Sequence, residues 1–357
     1  MIKIVLDYEG IIKPIDFAWI MYEKVSKKTK RKFPEELIKT FDEYDDTRWE
    51  REREARGHST GTTPLVIDCV AACDGISDSE IIQLACSYPQ ENPGIEKVFD
   101  FLKKEHFMQP FIVTNSHPAL PLATAYKYGI SSSKVFTHGY QLSEQEKKYL
   151  DSREILNLEK EVLKRSPLLS LKPKEELENF LEEYLNNCSK LLKAYRANDK
   201  PKIRKLEEEQ IKLFYSIKDK SLGKVLRYMF LFEKGIMGGH RKVDVLEKIR
   251  DDEIVYLGDS IVDADAVCFA DHGFTANCTN RHCLLDAKLS LALSDFSDFL
   301  PLLEDILDGK FAVDDAKIYE TKNMKVFLPN EIKQNFDHVK LVNSMFKQQL
   351  KELYKQV

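Results

Sequence analysis

Asp7 and Glu9 stand two residues apart at the end of an apolar run, Ile2–Leu6; Asp259 and Asp263 stand four apart just beyond another, Glu253–Leu257. Carboxylates gathered at this density repel one another unless a cation neutralises them. An all-oxygen donor set favours Mg²⁺, which binds through a few carboxylates together with water and substrate phosphate oxygens. Thr114 and Asn115 follow a third run, Pro110–Val113. They offer a hydroxyl and backbone N–H groups suited to phosphoryl oxygens at a helix N-terminus. Lys242, in Gly238-Gly239-His240-Arg241-Lys242, is a cation that could pair with both a carboxylate nucleophile and a phosphoryl group. Phosphoryl transfer is the chemistry this set of residue types would serve.

The clusters that end the three runs lie more than a hundred residues apart in sequence, so a sheet must bring them together. The runs are short, continuous and rich in β-branched residues, which predicts buried parallel strands; Gly273–Asn277 and Leu289–Leu293 extend the series. Polar clusters at their carboxyl ends are where open α/β sheets bind ligands. Asp259 and Asp263 are expected on one face of the helix that follows. Helical patterns fill the rest: Phe17 to Val25, a segment from Pro34 with Leu37, Ile38 and Phe41, Leu65–Ala72 and Asp78 to Cys86. Residues 14–92 therefore read as a helical insertion, and Gly94 to Lys104 as a crossover helix. Residues 143–225 read as a second insertion, an antiparallel hairpin carrying Leu177, Leu181, Leu185, Cys188 and Leu192 on one arm and Ile203, Leu206, Leu213, Phe214 and Ile217 on the other. Asn330 to Tyr354 reads as a last helix packed through Ile332, Phe336, Leu341, Met345, Leu350 and Tyr354, within an extension over 311–357.

The pattern resembles the haloacid dehalogenase (HAD) superfamily of phosphohydrolases, whose motifs appear in order as Ile4-Val5-Leu6-Asp7-Tyr8-Glu9-Gly10, Phe111-Ile112-Val113-Thr114-Asn115, Lys242 and Val255 to Asp263. With Tyr44-Asp45-Asp46 and Gly61-Thr62-Thr63-Pro64, the motifs are also similar to an archaeal group of predicted phosphohydrolases labelled energy-converting hydrogenase A subunit R. The resemblance implies an α/β fold: a HAD-like doubly wound parallel sheet over 1–13, 93–142 and 226–310, with a helical cap over 14–92 and the hairpin as a further insertion. It implies Asp7 as nucleophile, Glu9 as acid and base, Thr114 and Asn115 as phosphate-binding residues and Lys242 as charge stabiliser. Asp7, Glu9 (through its carbonyl), Asp259 and Asp263 would serve Mg²⁺, Asp263 from the second shell. The implied activity is hydrolysis of a small phosphorylated metabolite through an aspartyl-phosphate. Glu9 departs from the family's usual Asp by one methylene, against a geometric tolerance of about 0.5 Å. Three outcomes are open: a cap shaped for Glu and an active phosphatase, a misplaced acid with slow dephosphorylation, or a site kept for binding. The rival class is a binding or complex-assembly subunit.

Composition narrows the field. The 357 residues are 43% hydrophobic and carry 54 basic against 59 acidic side chains. That balance fits a folded chain of about two domains and argues against a nucleic-acid partner, which favours basic surfaces. No apolar run approaches the roughly 20 residues of a membrane span, and the N-terminal run turns acidic at Asp7, as expected of a cytoplasmic chain. Seven cysteines without framework spacing read as reduced thiols. Cys268, His272, Cys278, His282 and Cys283 match no closed zinc pattern, and Cys268 is expected to pack in the core. Arg48, Arg51, Arg53 and Arg56 around Trp49 offer an anion-recognition stripe, with a solvated, self-paired helix face as the favoured reading. The Lys/Glu-rich hairpin reads as a solvated structural element; it and the C-terminal helix are the surfaces for a homo-oligomer or a protein partner.

Overall fold

A computed structural model describes residues 2–28, 33–52, 61–87, 90–137, 175–217, 222 and 237–355. Among the described residues, seven strands form one sheet in the order β3-β2-β1-β4-β5-β6-β7. They are β1 (Lys3–Leu6), β2 (Phe111–Val113), β3 (Val135–Phe136), β4 (Ile254–Gly258), β5 (His272–Ala276), β6 (Leu289–Leu293) and β7 (Met324–Phe327). The first six pair in parallel and β7 joins antiparallel to β6. Both faces are covered, so the central strands are apolar without alternation: Ile4, Leu6 and Leu257 enter one core layer, Val5 and Tyr256 the other. This is a Rossmann-like α/β architecture. The order reverses at β1, which lies between β2 and β4, making the carboxyl ends of β1, β2 and β4 the sheet's switch point.

The five expected strands are present within a residue of their predicted ends. Two others are new. β3 has only two residues, too few for a periodic signal, and β7 lies in a stretch expected to belong to a helical extension. Lys325 points outward from β7 between buried neighbours. The outer edge of β7 is occupied by side chains: Glu320 Oε1 accepts from the Val326 N–H at 3.1 Å, and Lys317 Nζ donates to the Val326 carbonyl.

Helices α1 (Phe17–Lys28), α2 (Glu35–Glu52), α3 (Thr63–Cys73) and α4 (Asp78–Ser87) form the first insertion. Its two legs leave the sheet side by side. The Asn92 amide donates to the carbonyls of Gly10 (3.0 Å) and Ile11 (2.8 Å), its backbone N–H donates to the Ile12 carbonyl at 2.8 Å, and Lys13 pairs with Glu91 at 3.1 Å. After the crossover helix α5 (Ile95–Lys104) and α6 (Ala119–Tyr128) comes the hairpin of α7 (Glu175–Arg196) and α8 (Lys200–Ile217). Its Lys and Glu face solvent, but its apolar seam does not stand alone: α7 packs against α2 and α3. Phe41 meets Tyr184 with ring centroids 5.8 Å apart, Tyr44 stacks on Tyr195 at 6.1 Å, and Tyr44 Oη donates to Gln210 Oε1 at 3.2 Å. The two insertions thus share one apolar core. Residues 143–174, 218–221 and 223–225 of the expected second insertion, 138–142 and 226–236 of the expected sheet domain, and 53–60, with Arg53 and Arg56, lie outside the described residues.

The chain continues through α9 (His240–Ile249), α10 (Ala264–Phe269), α11 (Arg281–Asp286), α12 (Leu300–Leu307), α13 (Pro329–Gln334) and α14 (Phe336–Lys355). The inward face of α14 differs from the expected one. Val339, Asn343 and Leu350 are buried, whereas Leu341 and Met345 are more than half exposed. No helix among the described residues is long and apolar enough to cross a membrane.

Candidate functional site

β1 hands its ladder directly to the site, because the Asp7 N–H donates to the Leu257 carbonyl of β4 at 2.9 Å. Strand alternation then sends Tyr8 away from the site, where its hydroxyl bonds the Leu120 carbonyl (3.2 Å) and Thr124 Oγ1 (2.5 Å) on α6. Asp7 lies beside β4, and one carboxylate oxygen each of Asp7, Asp259 and Asp263 falls within 4.8 Å of the others. All three are buried. They are joined by Lys242 of α9, itself fully buried, whose Nζ lies 2.5 Å from Asp263 Oδ1 and 3.0 Å from Asp7 Oδ2.

Asp259 and Asp263 do not share a helix face as expected. Asp259 follows the end of β4, and the chain then makes a single tight turn, Ile261–Asp263, with a capping box between Ser260 and Asp263. Asp263 Oδ2 accepts from the backbone N–H groups of Asp259 (3.1 Å) and Ser260 (3.0 Å) and from Ser260 Oγ (3.0 Å), while Oδ1 also accepts from Tyr256 Oη at 2.6 Å. Five donors, counting Lys242, saturate this carboxylate, so Asp263 braces the turn and Lys242; Asp7 and Asp259 have more room to take a cation. Two glycines permit the crowding. A β-carbon on Gly258 would meet the Asp263 side chain, and one on Gly10, at φ +82°, would overlap the Asp259 carboxylate.

Glu9 is outside the three-carboxylate group. Its Oε1 accepts from the Phe17 N–H at the start of α1 (2.7 Å) and from Ser116 Oγ (3.0 Å), neither bond using Oε2. The longer side chain is therefore tied at once to the first insertion and to the loop after β2. In that loop Thr114 is buried, its hydroxyl accepting from the Ser116 N–H at 3.1 Å. The Asn115 side chain clamps two distant segments instead of facing the carboxylates: Nδ2 donates to the Gly61 carbonyl and Oδ1 accepts from the Met237 N–H at 3.2 Å. Sequence reasoning missed Lys347 of α14, whose Nζ lies 2.8 Å from Asp259 Oδ2. The available signal was a Lys four residues after Asn343, in line with inward Val339, on a helix whose apolar pattern pointed elsewhere.

The electrostatics follow from burial. Removal from water pushes the Asp7 carboxyl well above its ordinary range and the Asp263 charge adds to this, with Lys242 opposing. Burial also raises Asp263, but the charge and hydrogen bond of Lys242 outweigh it and hold Asp263 low. Lys242, which burial alone would discharge, is held above its ordinary value by Asp263 and Asp7. Burial raises Glu9, with Asp16 and Asp7 adding to the effect against its two donors.

The first insertion closes on this site through Trp49, which is buried in the core layer of α9 and α10 instead of forming an exposed anion stripe. The Trp49 ring meets the edge of His282 at 6.0 Å, and Arg51 lies over the Tyr195 ring at 4.7 Å. Of the cysteines considered for zinc, Cys278 and Cys283 are buried, but Cys268 is exposed, contrary to its expected core position. It sits on the outer side of the short α10, whose Ala264, Ala266 and Val267 take the inner one. The Asp7–Asp259–Asp263 group is the one metal-competent cluster among the described residues.

Fold and site together define an α/β protein with a mostly parallel sheet and a buried, lysine-braced carboxylate centre at its switch point. No family model matches the chain, and no curated protein does. A solved structure, gene product AF1437 from Archaeoglobus fulgidus, is similar over 99% of this chain and 97% of its own, with 17% identity and a TM-score of 0.61; at that identity the likeness concerns the fold.

Proposed function

We propose that the chain is a divalent-cation-dependent phosphomonoester hydrolase working through an aspartyl-phosphate on a small substrate. The observation that carries this is Lys242, buried between Asp7 and Asp263 with Asp259 alongside, at the carboxyl ends of β1 and β4. An all-oxygen donor set whose carboxylates outnumber the buried lysine fits Mg²⁺. Asp7 and Asp259, with the Glu9 carbonyl, would hold it, and the cation would screen the repulsion between a carboxylate nucleophile and a phosphate dianion.

In this reading Lys242 and the bound cation together would favour the ionised form of Asp7, which burial opposes. The Asp7 oxygen forms a bond to phosphorus as the ester oxygen–phosphorus bond breaks. Glu9, whose surroundings favour its protonated form, gives its proton to the departing ester oxygen. The resulting Glu9 carboxylate then takes a proton from water, whose oxygen attacks the same phosphorus; phosphate leaves and Asp7 is restored. Thr114 and the backbone N–H groups after β2 bind phosphoryl oxygens, and the docked insertion excludes bulk water. The bonds from Phe17 N–H and Ser116 Oγ support a cap built to seat Glu9, hence an active enzyme. The rival docking role keeps one observation, the outward Leu341, Met345 and Leu353 of α14.

The test is hydrolysis of a panel of phosphate esters with and without Mg²⁺, using Asp7→Asn as the blank. Turnover that needs both is expected, with Asp7→Asn at least about 10³-fold slower. A folded, Mg²⁺-binding wild type that turns over nothing in a broad panel would overturn the proposal.

A further inference from the structure

Lys347 reaches the carboxylate centre from the last helix of the chain. Three features fix it there. Val339 and Leu350 are buried on the inner side of α14, and Asn343 between them is fully buried, its Nδ2 donating to Ser290 Oγ of β6 and to the Val339 carbonyl, both at 3.0 Å. Position 347, one turn beyond Asn343, then falls over the end of β4. The Lys347 side chain remains about 30% exposed while its Nζ contacts Asp259, which is 8% exposed. The Lys347 stem thus reaches the surface while its ammonium lies against Asp259, and Lys242 on the other side of the group is fully buried.

We infer that Lys347 sets the charge of the site, weakening its hold on a divalent cation and strengthening its hold on the anionic group of the substrate. This rests on the phosphohydrolase reading above. With all three carboxylates ionised, as cation binding requires, three negative charges against two ammonium groups leave one negative charge, which a divalent cation converts to one positive charge. Without Lys347 the loaded centre would only reach neutrality. A cation at Asp259 shares that carboxylate with the Lys347 ammonium and is repelled by it. A phosphoryl dianion bound at the loaded centre is attracted to the same ammonium. Lys347 is thus a positioning and affinity residue supplied from outside the four motifs.

The experiment measures Mn²⁺ affinity by calorimetry or by the Mn²⁺ electron paramagnetic resonance signal, then inorganic phosphate affinity at saturating Mn²⁺, for wild type, Lys347→Gln and Lys347→Arg. Lys347→Gln is expected to bind Mn²⁺ roughly 3- to 10-fold more tightly and phosphate about 10-fold more weakly, and Lys347→Arg to stay close to wild type in both. Opposite signs are the signature, since a merely structural loss would weaken both ligands. Unchanged or jointly weakened affinities in Lys347→Gln, with Mn²⁺ still bound by wild type, overturn this inference alone. A wild type that binds no Mn²⁺ overturns the metal reading and the inference with it.

Discussion

Lys242 shows how much of this centre is decided by one side chain. A fully buried ammonium is tolerated because two carboxylates flank it, and those carboxylates are tolerated because of it. Lys242→Met should therefore cost about 3–5 kcal/mol, the range for leaving buried charges without their partner. The loss would be read as a lowered denaturation midpoint in urea. The double variant Lys242→Met/Asp263→Asn should recover part of it, because the amide removes one of the stranded charges. A single variant as stable as wild type would mean that the carboxylates are neutral in the fold and the ion pairs unimportant. Gly10 is decided just as locally. Its left-handed backbone and absent side chain are what allow Asp259 to lie against the loop after β1.

Among the elements, the first insertion carries the clearest pH signature. Asp46 on α2 is raised to about 8 by burial and by the charges of Asp42, Asp45, Glu50 and Glu43. Asp16, before α1, is raised to about 6 by burial and Asp42, against bonds from the Ala18 and Trp19 N–H groups. Both values lie above the unfolded value of about 4, so the folded chain holds more protons than the unfolded chain between these limits. Stability contributed by the neutral carboxyls is present at low pH and is lost as pH rises through 6 and then 8. Asp46→Asn should accordingly leave the melting temperature unchanged near pH 4 and raise it by a few degrees, about 1 kcal/mol, at pH 9. Calorimetry at the two pH values checks this, and equal shifts at both would refute it. The sequence made the long elements readable, and for a physical reason. Buried central strands leave continuous apolar runs, and polar residues sit at their ends, so β1, β2, β4 and Asp7 are legible in the text alone. A two-residue strand such as β3 leaves no period to detect. The turn at 261–263 mimics a helix start in its spacing, so the text points to a shared helix face for Asp259 and Asp263 where the fold uses a strand end and a tight turn. The face of α14 was misread because its inward stripe includes Asn343 and Lys347, polar residues whose partners come from β6 and from the turn after β4.

For the whole molecule, the two insertions behave as one body. Phe41 of the first is buried against Tyr184 of the second, and Tyr44 bridges to both Tyr195 and Gln210. Phe41→Ala should cost about 3–5 kcal/mol locally and accelerate amide exchange in 177–195 together with 35–52, leaving β4 to β6 protected. Exchange confined to 35–52 would show the insertions to be energetically separate. Among the described residues the sheet has short or occupied outer strands on both sides. β3 is two residues long, and on β7 the outward N–H and carbonyl of Val326 are already taken by Glu320 and Lys317, with Lys325 beside them. A free strand edge is the usual template on which a second chain stacks into cross-β aggregates. Here neither outermost described strand offers a long free edge, so the largely apolar sheet can persist in a crowded solution without recruiting copies of itself edge to edge.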